Sequence, residues 1–450
     1  MNAIEVRLWN QRVGAVALEP SLGVYAFEYE PSFIRSGLEL APLQMPLSRS
    51  RTPFIFPDLP ELTFKRLPAM LADALPDDFG NNLINSWMAQ RGIPKDRITA
   101  LDRLAYMGKR GMGALEFRPV RGPNRESTTA IQLSSLVESA RLAVHGELDS
   151  DAHSEAALAQ IIRVGTSAGG ARAKATVAWN PSTNELRAGQ FEVEPGFEHW
   201  LLKFDGIGPD RELGVSQQYG RVEYAYFLMA RAAGITISDC RLLEENGRAH
   251  FMTRRFDRTA TDQTGTEQTG TEQASEAGAN QGIRKPHLQT LCAISHLDYK
   301  QRATHDYSQY FQTVIELNLG RPALEEAFRR MAFNVMSRNH DDHTKNFSFM
   351  LGQPQAGQVA QWELAPAYDV TFAFNPHGEW TNQHLMGVNG KFANITRADM
   401  LEVAERFGLG NAPRLLEQVR EAIHSWSGFA SQAGVSPTQT RQIASQLQAL

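Results

Sequence analysis

An aspartate at position 341, an asparagine five residues later at 346 and a second aspartate at 369 carry the most chemistry in this chain. Phosphoryl transfer from ATP needs such a set: one carboxylate to orient the attacking hydroxyl, with an amide and a further carboxylate to hold Mg²⁺ against the phosphates. The residues stand in Asn339-His340-Asp341-Asp342-His343-Thr344-Lys345-Asn346 and in Ala367-Tyr368-Asp369. The pattern predicts a kinase.

A second stretch suited to phosphate is Gly165-Thr166-Ser167-Ala168-Gly169-Gly170-Ala171-Arg172-Ala173-Lys174. Closely spaced glycines let successive backbone N–H groups converge on phosphate oxygens, and Arg172 and Lys174 add positive charge. The P-loop template nearly fits, but Ala171 stands where its lysine is required, which argues against a P-loop ATPase. A glycine-rich hairpin without a ligand is the competing reading. Gly108, Gly111 and Gly113 form a lesser candidate for an anion cradle, although such turns are more often backbone punctuation.

Lys203 closes the apolar run His199-Trp200-Leu201-Leu202-Lys203-Phe204, and Glu223 lies near the start of a helix expected over 221–233 and ended by Gly234. Alone, the lysine reads as an edge or snorkelling residue and the glutamate as an exposed acid favoured by the helix dipole. Together they supply what a kinase needs, a strand lysine on the α and β phosphates steadied by a helix carboxylate.

The elements that must position these groups are visible as periodicities. Ile4-Glu5-Val6-Arg7-Leu8-Trp9 and Val13-Gly14-Ala15-Val16 alternate as half-buried strands, and Leu83, Ile84, Trp87 and Met88 place a helix over 81–92. Asn246-Gly247 between Arg241-Leu242-Leu243 and His250-Phe251-Met252 predicts a hairpin. Phe328, Met331, Ala332, Val335 and Met336 give a buried helix that releases the chain into the 341–346 loop, after which Phe347 and Phe349 alternate as a short strand. The near-repeat after Thr259 has no large apolar residue, so 259–282 reads as a flexible insertion or linker. A weaker break falls at Arg121-Gly122-Pro123-Asn124.

With 450 residues the chain is long enough for two or three domains. A formal charge of −5 argues against a strongly basic nucleic-acid binder. The N-terminus has no basic region leading into an apolar run, and no apolar stretch nears the roughly 20 residues of a membrane span, so the cytoplasm is expected. Cys240 and Cys292 lack CxxC spacing and read as small reduced core residues.

The segment 341–348, the Ala367-Tyr368-Asp369 triplet, the Arg255-Phe256-Asp257-Arg258 hinge and the 167–174 loop together resemble the HipA family of bacterial serine/threonine kinase toxins. Leu71-Ala72-Asp73-Ala74-Leu75-Pro76-Asp77 is similar to that family's N-terminal subdomain, so the likeness spans nearly the whole chain apart from 259–282. It implies an α+β, kinase-like bilobal fold: a small N-terminal α/β subdomain (1–122), a mixed α/β nucleotide-binding lobe (130–258), the low-complexity insertion (259–282) and an all-helical C-terminal lobe (283–450).

Position by position, the resemblance implies Asp341 as catalytic base, Asn346 and Asp369 as Mg²⁺ ligands, and Lys203, supported by Glu223, on the ATP phosphates. Gly165, Ser167, Ala168, Gly169 and Gly170 would line the nucleotide, and Arg254 and Phe256 belong to the hinge that receives adenine. Ser167 falls where members carry an autophosphorylated serine whose modification ejects the loop from the ATP site, and Thr166 is the neighbouring candidate. His343 and Lys345 complete the set; His343 has the competing reading of a loop side chain satisfying a carbonyl, Lys345 that of a solvated charge. Arg254 stands where better-known members carry an acidic residue, and the Gly-Gly-Ala-Arg-Ala-Lys wording also departs from them. Family targets include aminoacyl-tRNA synthetases, best known glutamyl-tRNA synthetase. Members are neutralised by a small helix-turn-helix antitoxin, so a HipB-like partner, DNA contact only through that partner and no membrane are implied.

Two other classes compete. His340, Asp341, Asp342 and His343 are of the types that ligate divalent metal in a phosphohydrolase, though that reading leaves Asn346 and Lys203 unused. A catalytically silent nucleotide-binding regulator is the second.

Overall fold

The alternating N-terminal runs form the strands Ala3–Leu8 and Gln11–Glu19, joined through Trp9 and Asn10, both at positive φ. The computed structural model describes residues 1–76, 78–123, 131–145, 161, 173–190, 193–206, 218–260, 283–354, 358–448 and 450. Val24–Tyr29 and Leu115–Arg118 complete an antiparallel sheet in the order Val24–Tyr29, Gln11–Glu19, Ala3–Leu8, Leu115–Arg118. Ile4, Val6 and Leu8 are buried while Glu5 and Arg7 between them stay half-exposed, the period of two that a one-sided strand requires. The helix expected over 81–92 begins earlier, as Asp78–Ala89, with Asp78 in the first turn where the helix dipole favours an acid.

Five further antiparallel strands form the upper-lobe sheet in the order Leu186–Ala188, Lys174–Trp179, Glu198–Lys203, Arg248–Arg254, Cys240–Glu245. Asn246 and Gly247 join the last two at φ 47° and 78°, the two left-handed positions of a tight hairpin turn. The helix Tyr219–Ala232 starts two residues before its expected position. It ends where Ile235 N–H returns to Ala230 O at 3.1 Å around Gly234, which is at φ 79°. Its apolar face is claimed by the other lobe: Tyr226 is fully buried, with ring centroids 6.2 Å from Phe333 and 5.4 Å from Trp426, and donates to Ser337 O at 2.6 Å.

The lower lobe is built on Gly320–Ser337, whose Phe328, Met331, Ala332, Val335 and Met336 are all buried. Tyr307–Glu316, Arg397–Arg406, Ala412–His424, Trp426–Gln432 and Pro437–Ala444 add to it. This lobe, expected to be all-helical, also carries a three-stranded antiparallel sheet ordered His287–Thr290, Ser348–Leu351, Trp362–Leu364. The reason is local: Phe347, Phe349 and Leu351 are buried as alternate residues, and Ser348, between the first two, is buried too because its hydroxyl is hydrogen-bonded.

One hydrophobic core runs from the N-terminal sheet to Val177, Leu202 and Met252 and reaches Cys292 and Leu351, while a second joins Tyr219–Ala232 to the lower-lobe helices. The ends of the 259–282 segment are hydrogen-bonded, Thr259–Ala260 pairing antiparallel with Ile283–Arg284; residues 261–282 lie outside the described residues. Cys292 is buried as expected, whereas Cys240 is only half-buried and donates to Ser238 O at 3.2 Å.

The glycine turn at 108–113 meets an anion, but an internal one. Gly113 N–H donates to Asp257 Oδ2 at 2.8 Å, and Arg258 donates to Gly113 O at 3.0 Å and Gly111 O at 2.8 Å. Gly113 sits at φ 72°, and a Cβ there would meet Leu288 at 3.1 Å, so the turn is a socket that docks the N-terminal subdomain onto the hinge.

Candidate active site

Lys203 ends the strand Glu198–Lys203 directly opposite Lys174 in the antiparallel register. Like charges in that relation repel. The repulsion is answered by two carboxylates: Lys203 Nζ pairs with Glu223 and lies 2.5 Å from Asp369 Oδ1. Glu223 is 2% exposed, which removes its reading as a solvated first-turn acid. Burial pulls the Lys203 pKa down, but Asp369 and then Glu223 outweigh it and hold the ammonium well above its ordinary value. For Asp369 burial pushes up, and Lys203 and then Lys174 hold it below the usual carboxylate range.

Asp369 is delivered by a segment tied to both lobes. Ala367 N–H donates to Thr236 O at 2.8 Å, next to the end of Tyr219–Ala232, and Ala373 N–H donates to Arg338 O at 3.1 Å beside the 341–346 loop. Between these ties Tyr368 donates its hydroxyl to Lys345 O at 2.7 Å and takes a hydrogen bond from Ser348 Oγ at 2.6 Å. Asp369 itself has φ 53°, a left-handed conformation that Asp tolerates better than most residues and that surrounding contacts must hold.

The loop after Gly320–Ser337 begins at Arg338, left-handed at φ 59°, with Asn339 N–H returning to Asn334 O at 3.0 Å. Such a cap usually takes glycine. Arg338 fills the position because its side chain is used, donating to Gln446 O at 2.9 Å.

The two adjacent aspartates then part. Asp342 is 1% exposed and accepts from Tyr307 Oη at 2.9 Å, Leu385 N–H at 2.8 Å and Met386 N–H at 3.3 Å, with His384 Nδ1 at 2.9 Å. Asn334 Nδ2 donates to the Tyr307 hydroxyl and Asn339 Nδ2 to Asn334 Oδ1, each at 2.9 Å, so a buried network fixes the loop from below. Asp341, by contrast, has a half-exposed side chain. Asn346 Nδ2 donates to Asp341 O at 2.7 Å, which leaves the amide oxygen for another partner, and Asn346, Asp369, Asp342 and Tyr368 line one small cavity. The Asn346 amide oxygen and the Asp369 oxygen not held by Lys203 are hard donors of the kind Mg²⁺ takes.

His343 Nε2 lies 3.8 Å from Asp341 Oδ1 with its ring 5.2 Å from that of Tyr299, and Lys345 Nζ sits 5.1 Å from the same Tyr299 ring. At the hinge, Phe256 is half-buried with its ring 5.9 Å from Tyr368. Arg254 turns to the neighbouring strand, where its guanidinium lies 3.4 Å from Glu198 Oε1. Gly165, Thr166, Ser167, Ala168, Gly169 and Gly170 lie outside the described residues. The four-residue metal site does not assemble: His340 donates through Nδ1 to Thr381 O at 3.0 Å, burial pushes its pKa down to about 2, and it and Asp342 are enclosed in the lobe.

Three contributors were given no part in positioning the site by the sequence reading: Asp342, which it placed only in the competing metal site, Tyr368 and Asp73. Asp73, from the N-terminal subdomain, accepts from Thr290 N–H at 2.7 Å and Thr290 Oγ1 at 2.9 Å, and Thr290 caps the turn Leu291–Ile294 on which the 341–346 loop rests. Leu291 N–H completes that support by donating to Phe347 O at 2.7 Å. The Asp341-Asp342 doublet was the available signal, since two neighbouring carboxylates on an ordered loop seldom share one environment.

Residues 166–447 match the family model of the HipA-like C-terminal domain, and residues 4–118 match that of the HipA N-terminal domain. The chain belongs to the HipA family. Among solved structures, HipA of Shewanella oneidensis MR-1, in complex with HipB and its operator DNA, superposes with a TM-score of 0.64 at 15% identity, covering 98% of this chain and 94% of that one. This HipA-family chain therefore has the kinase-like bilobal α+β fold. The proinflammatory kinase CtkA of Helicobacter pylori matches at a TM-score of 0.34 and 11% identity over 62% of this chain and 90% of that one. No curated protein matches the chain. Among the described residues no helix is long and apolar enough to cross a membrane.

Proposed function

We propose that this HipA-family chain is an ATP- and Mg²⁺-dependent serine/threonine protein kinase, the toxin of a toxin–antitoxin pair, acting in the cytoplasm on a translation component of the aminoacyl-tRNA synthetase class. The observation that carries the reading is the meeting of Lys203, Glu223 and Asp369 in one ion cluster, with Asn346 lining the same cavity as Asp369.

Asp341 orients the acceptor hydroxyl and takes its proton as the new oxygen–phosphorus bond forms and the bond to ADP breaks. Lys203, steadied by Glu223, holds the α and β phosphates, and Lys345 lies close enough to the loop to assist the transferring group. Asn346 and Asp369 would hold Mg²⁺, which would neutralise charge on the phosphates. Phe256 and the backbone of the hinge receive adenine. Arg254, held by Glu198, contributes through its main chain. Gly165, Ser167, Ala168, Gly169 and Gly170 are assigned to the phosphates, and Ser167, or Thr166 beside it, is the autophosphorylation site. A HipB-like antitoxin is the proposed partner, with DNA reached only through it; the relative from Shewanella oneidensis MR-1 was solved with HipB and operator DNA.

Incubation of the purified chain with Mg-[γ-³²P]ATP tests the reading. Phosphoserine at 167 or phosphothreonine at 166 is expected in the tryptic map; nucleotide binding with no phosphoprotein would favour the silent regulator instead. Glu223→Gln should raise the KM for ATP about tenfold or more, since a hydrogen bond to a charged group is worth roughly 1.5–3 kcal/mol. An unchanged KM would detach Glu223 from nucleotide binding. Phosphoproteomics after brief induction would identify the target.

A further inference from the structure

The face between Asp341 and the N-terminal subdomain is cationic in a chain of net charge −5. Lys65 and Lys300, from the N-terminal subdomain and the lower lobe, both donate to Leu62 O, at 2.7 and 3.4 Å. The two ammonium groups therefore lie no further apart than the sum of those distances. Among the described residues neither they nor Lys345 have a carboxylate within ion-pair distance.

The nearby acids have other partners: Glu61 pairs with Arg66 at 2.9 Å, Asp298 accepts from the Thr63 hydroxyl, and Asp73 accepts from Thr290 while also feeling the charge of Lys345. Burial, and then Lys300, depresses the Lys65 pKa, and Asp78 and Glu61 do not restore it.

The cationic face is continuous with the catalytic loop. Lys300 Nζ lies 5.7 Å and Lys345 Nζ 5.1 Å from the Tyr299 ring centroid. That ring lies 5.2 Å from His343, whose Nε2 is 3.8 Å from Asp341 Oδ1. A segment presenting its hydroxyl to Asp341 and running toward the N-terminal subdomain would cross Tyr299 and reach Lys300 and Lys65. We propose that this surface is a receptor for carboxylates, so that the protein phosphorylated here carries glutamate or aspartate beside its acceptor serine or threonine. The proposal rests on the kinase reading. A nucleic-acid backbone offers the same charge, but the acceptor-side position of the cluster and the net negative charge of the chain favour an acidic polypeptide.

The test uses the full chain with Mg-ATP and two peptides identical except that one serine is flanked by glutamates in the first and by lysines in the second. The acidic peptide should be phosphorylated with a kcat/KM about tenfold higher, as expected when one or two ion pairs are each worth at most about 1 kcal/mol. Lys65→Glu and Lys300→Glu should each abolish that preference through KM while leaving autophosphorylation unchanged. Equal use of both peptides, a preference for the lysine peptide, or variants that slow both alike would overturn the proposal.

Fluorescence anisotropy of the labelled acidic peptide gives a readout independent of transfer, and Lys300→Glu should weaken that binding. If no phosphate reached either peptide or the chain itself, the kinase reading would fall while anisotropy still decided carboxylate binding. Binding of a single-stranded RNA where the acidic peptide does not bind would overturn the proposal in favour of nucleic acid.

Discussion

Asp341→Asn should leave the chain folded and lower phosphoryl transfer by about 10²–10⁴, the usual cost of losing a general base. The Asp341 side chain is 50% exposed, so its substitution should move stability by no more than about 0.5 kcal/mol. Its neighbour supplies the contrast. Asp342→Asn removes the charge on which Tyr307, His384, Leu385 N–H and Met386 N–H converge in a buried network, and should lower the thermal midpoint as well as the rate. Initial rates with [γ-³²P]ATP and melting curves on the two variants separate chemistry from architecture. Full transfer by Asp341→Asn would remove the base from the mechanism.

Asp257→Ala should destabilise the chain by about 3–5 kcal/mol, because it strands two buried guanidinium groups. Arg255 donates to Asp257 through Nε at 2.9 Å and Nη2 at 2.8 Å, Arg258 donates through Nη1 at 2.8 Å, and both arginines are buried. Burial alone would raise the Asp257 pKa, but Arg255 and Arg258 reverse this and hold it far below the carboxylate range. With the folded value depressed, the contribution is present above the unfolded value of about 3.9 and is lost as pH falls below it toward the folded value. The wild-type chain should therefore lose stability between about pH 5 and lower pH, and the variant should show a flatter acid limb. Urea midpoints at neutral and acid pH measure both effects; a variant as stable as the wild type at pH 7 would show the cluster to be dispensable.

Local periodicity carried much of the fold. The hairpin at Asn246-Gly247, the strand ending in Lys203 and the helix leading to His340 follow from spacing and turn chemistry, because each is decided by residues within about one element's length. The Lys203–Glu223 pair was legible for a related reason: strand, loop and helix follow one another, leaving few ways to place them. What escaped the sequence depends on distant partners. Gly113 and Asp257 meet across 144 positions, and Asp73 and Thr290 across 217, so the glycine turn read mainly as backbone punctuation and Asp73 only as part of a motif. The different fates of Asp341 and Asp342 were hidden because the segment carrying Leu385 and Met386, which claims Asp342, lies more than 40 residues downstream.

Tyr226 makes the helix that bears Glu223 a piece of the opposite lobe. Rotating that helix outward would pull one of the largest fully buried side chains from between Phe333 and Trp426 and break its bond to Ser337. The glutamate is thus no clutch that engages and releases; its hold on the strand lysine lasts as long as the lower lobe stays folded. Under the proposed kinase function, control would fall to whatever occupies the nucleotide site itself.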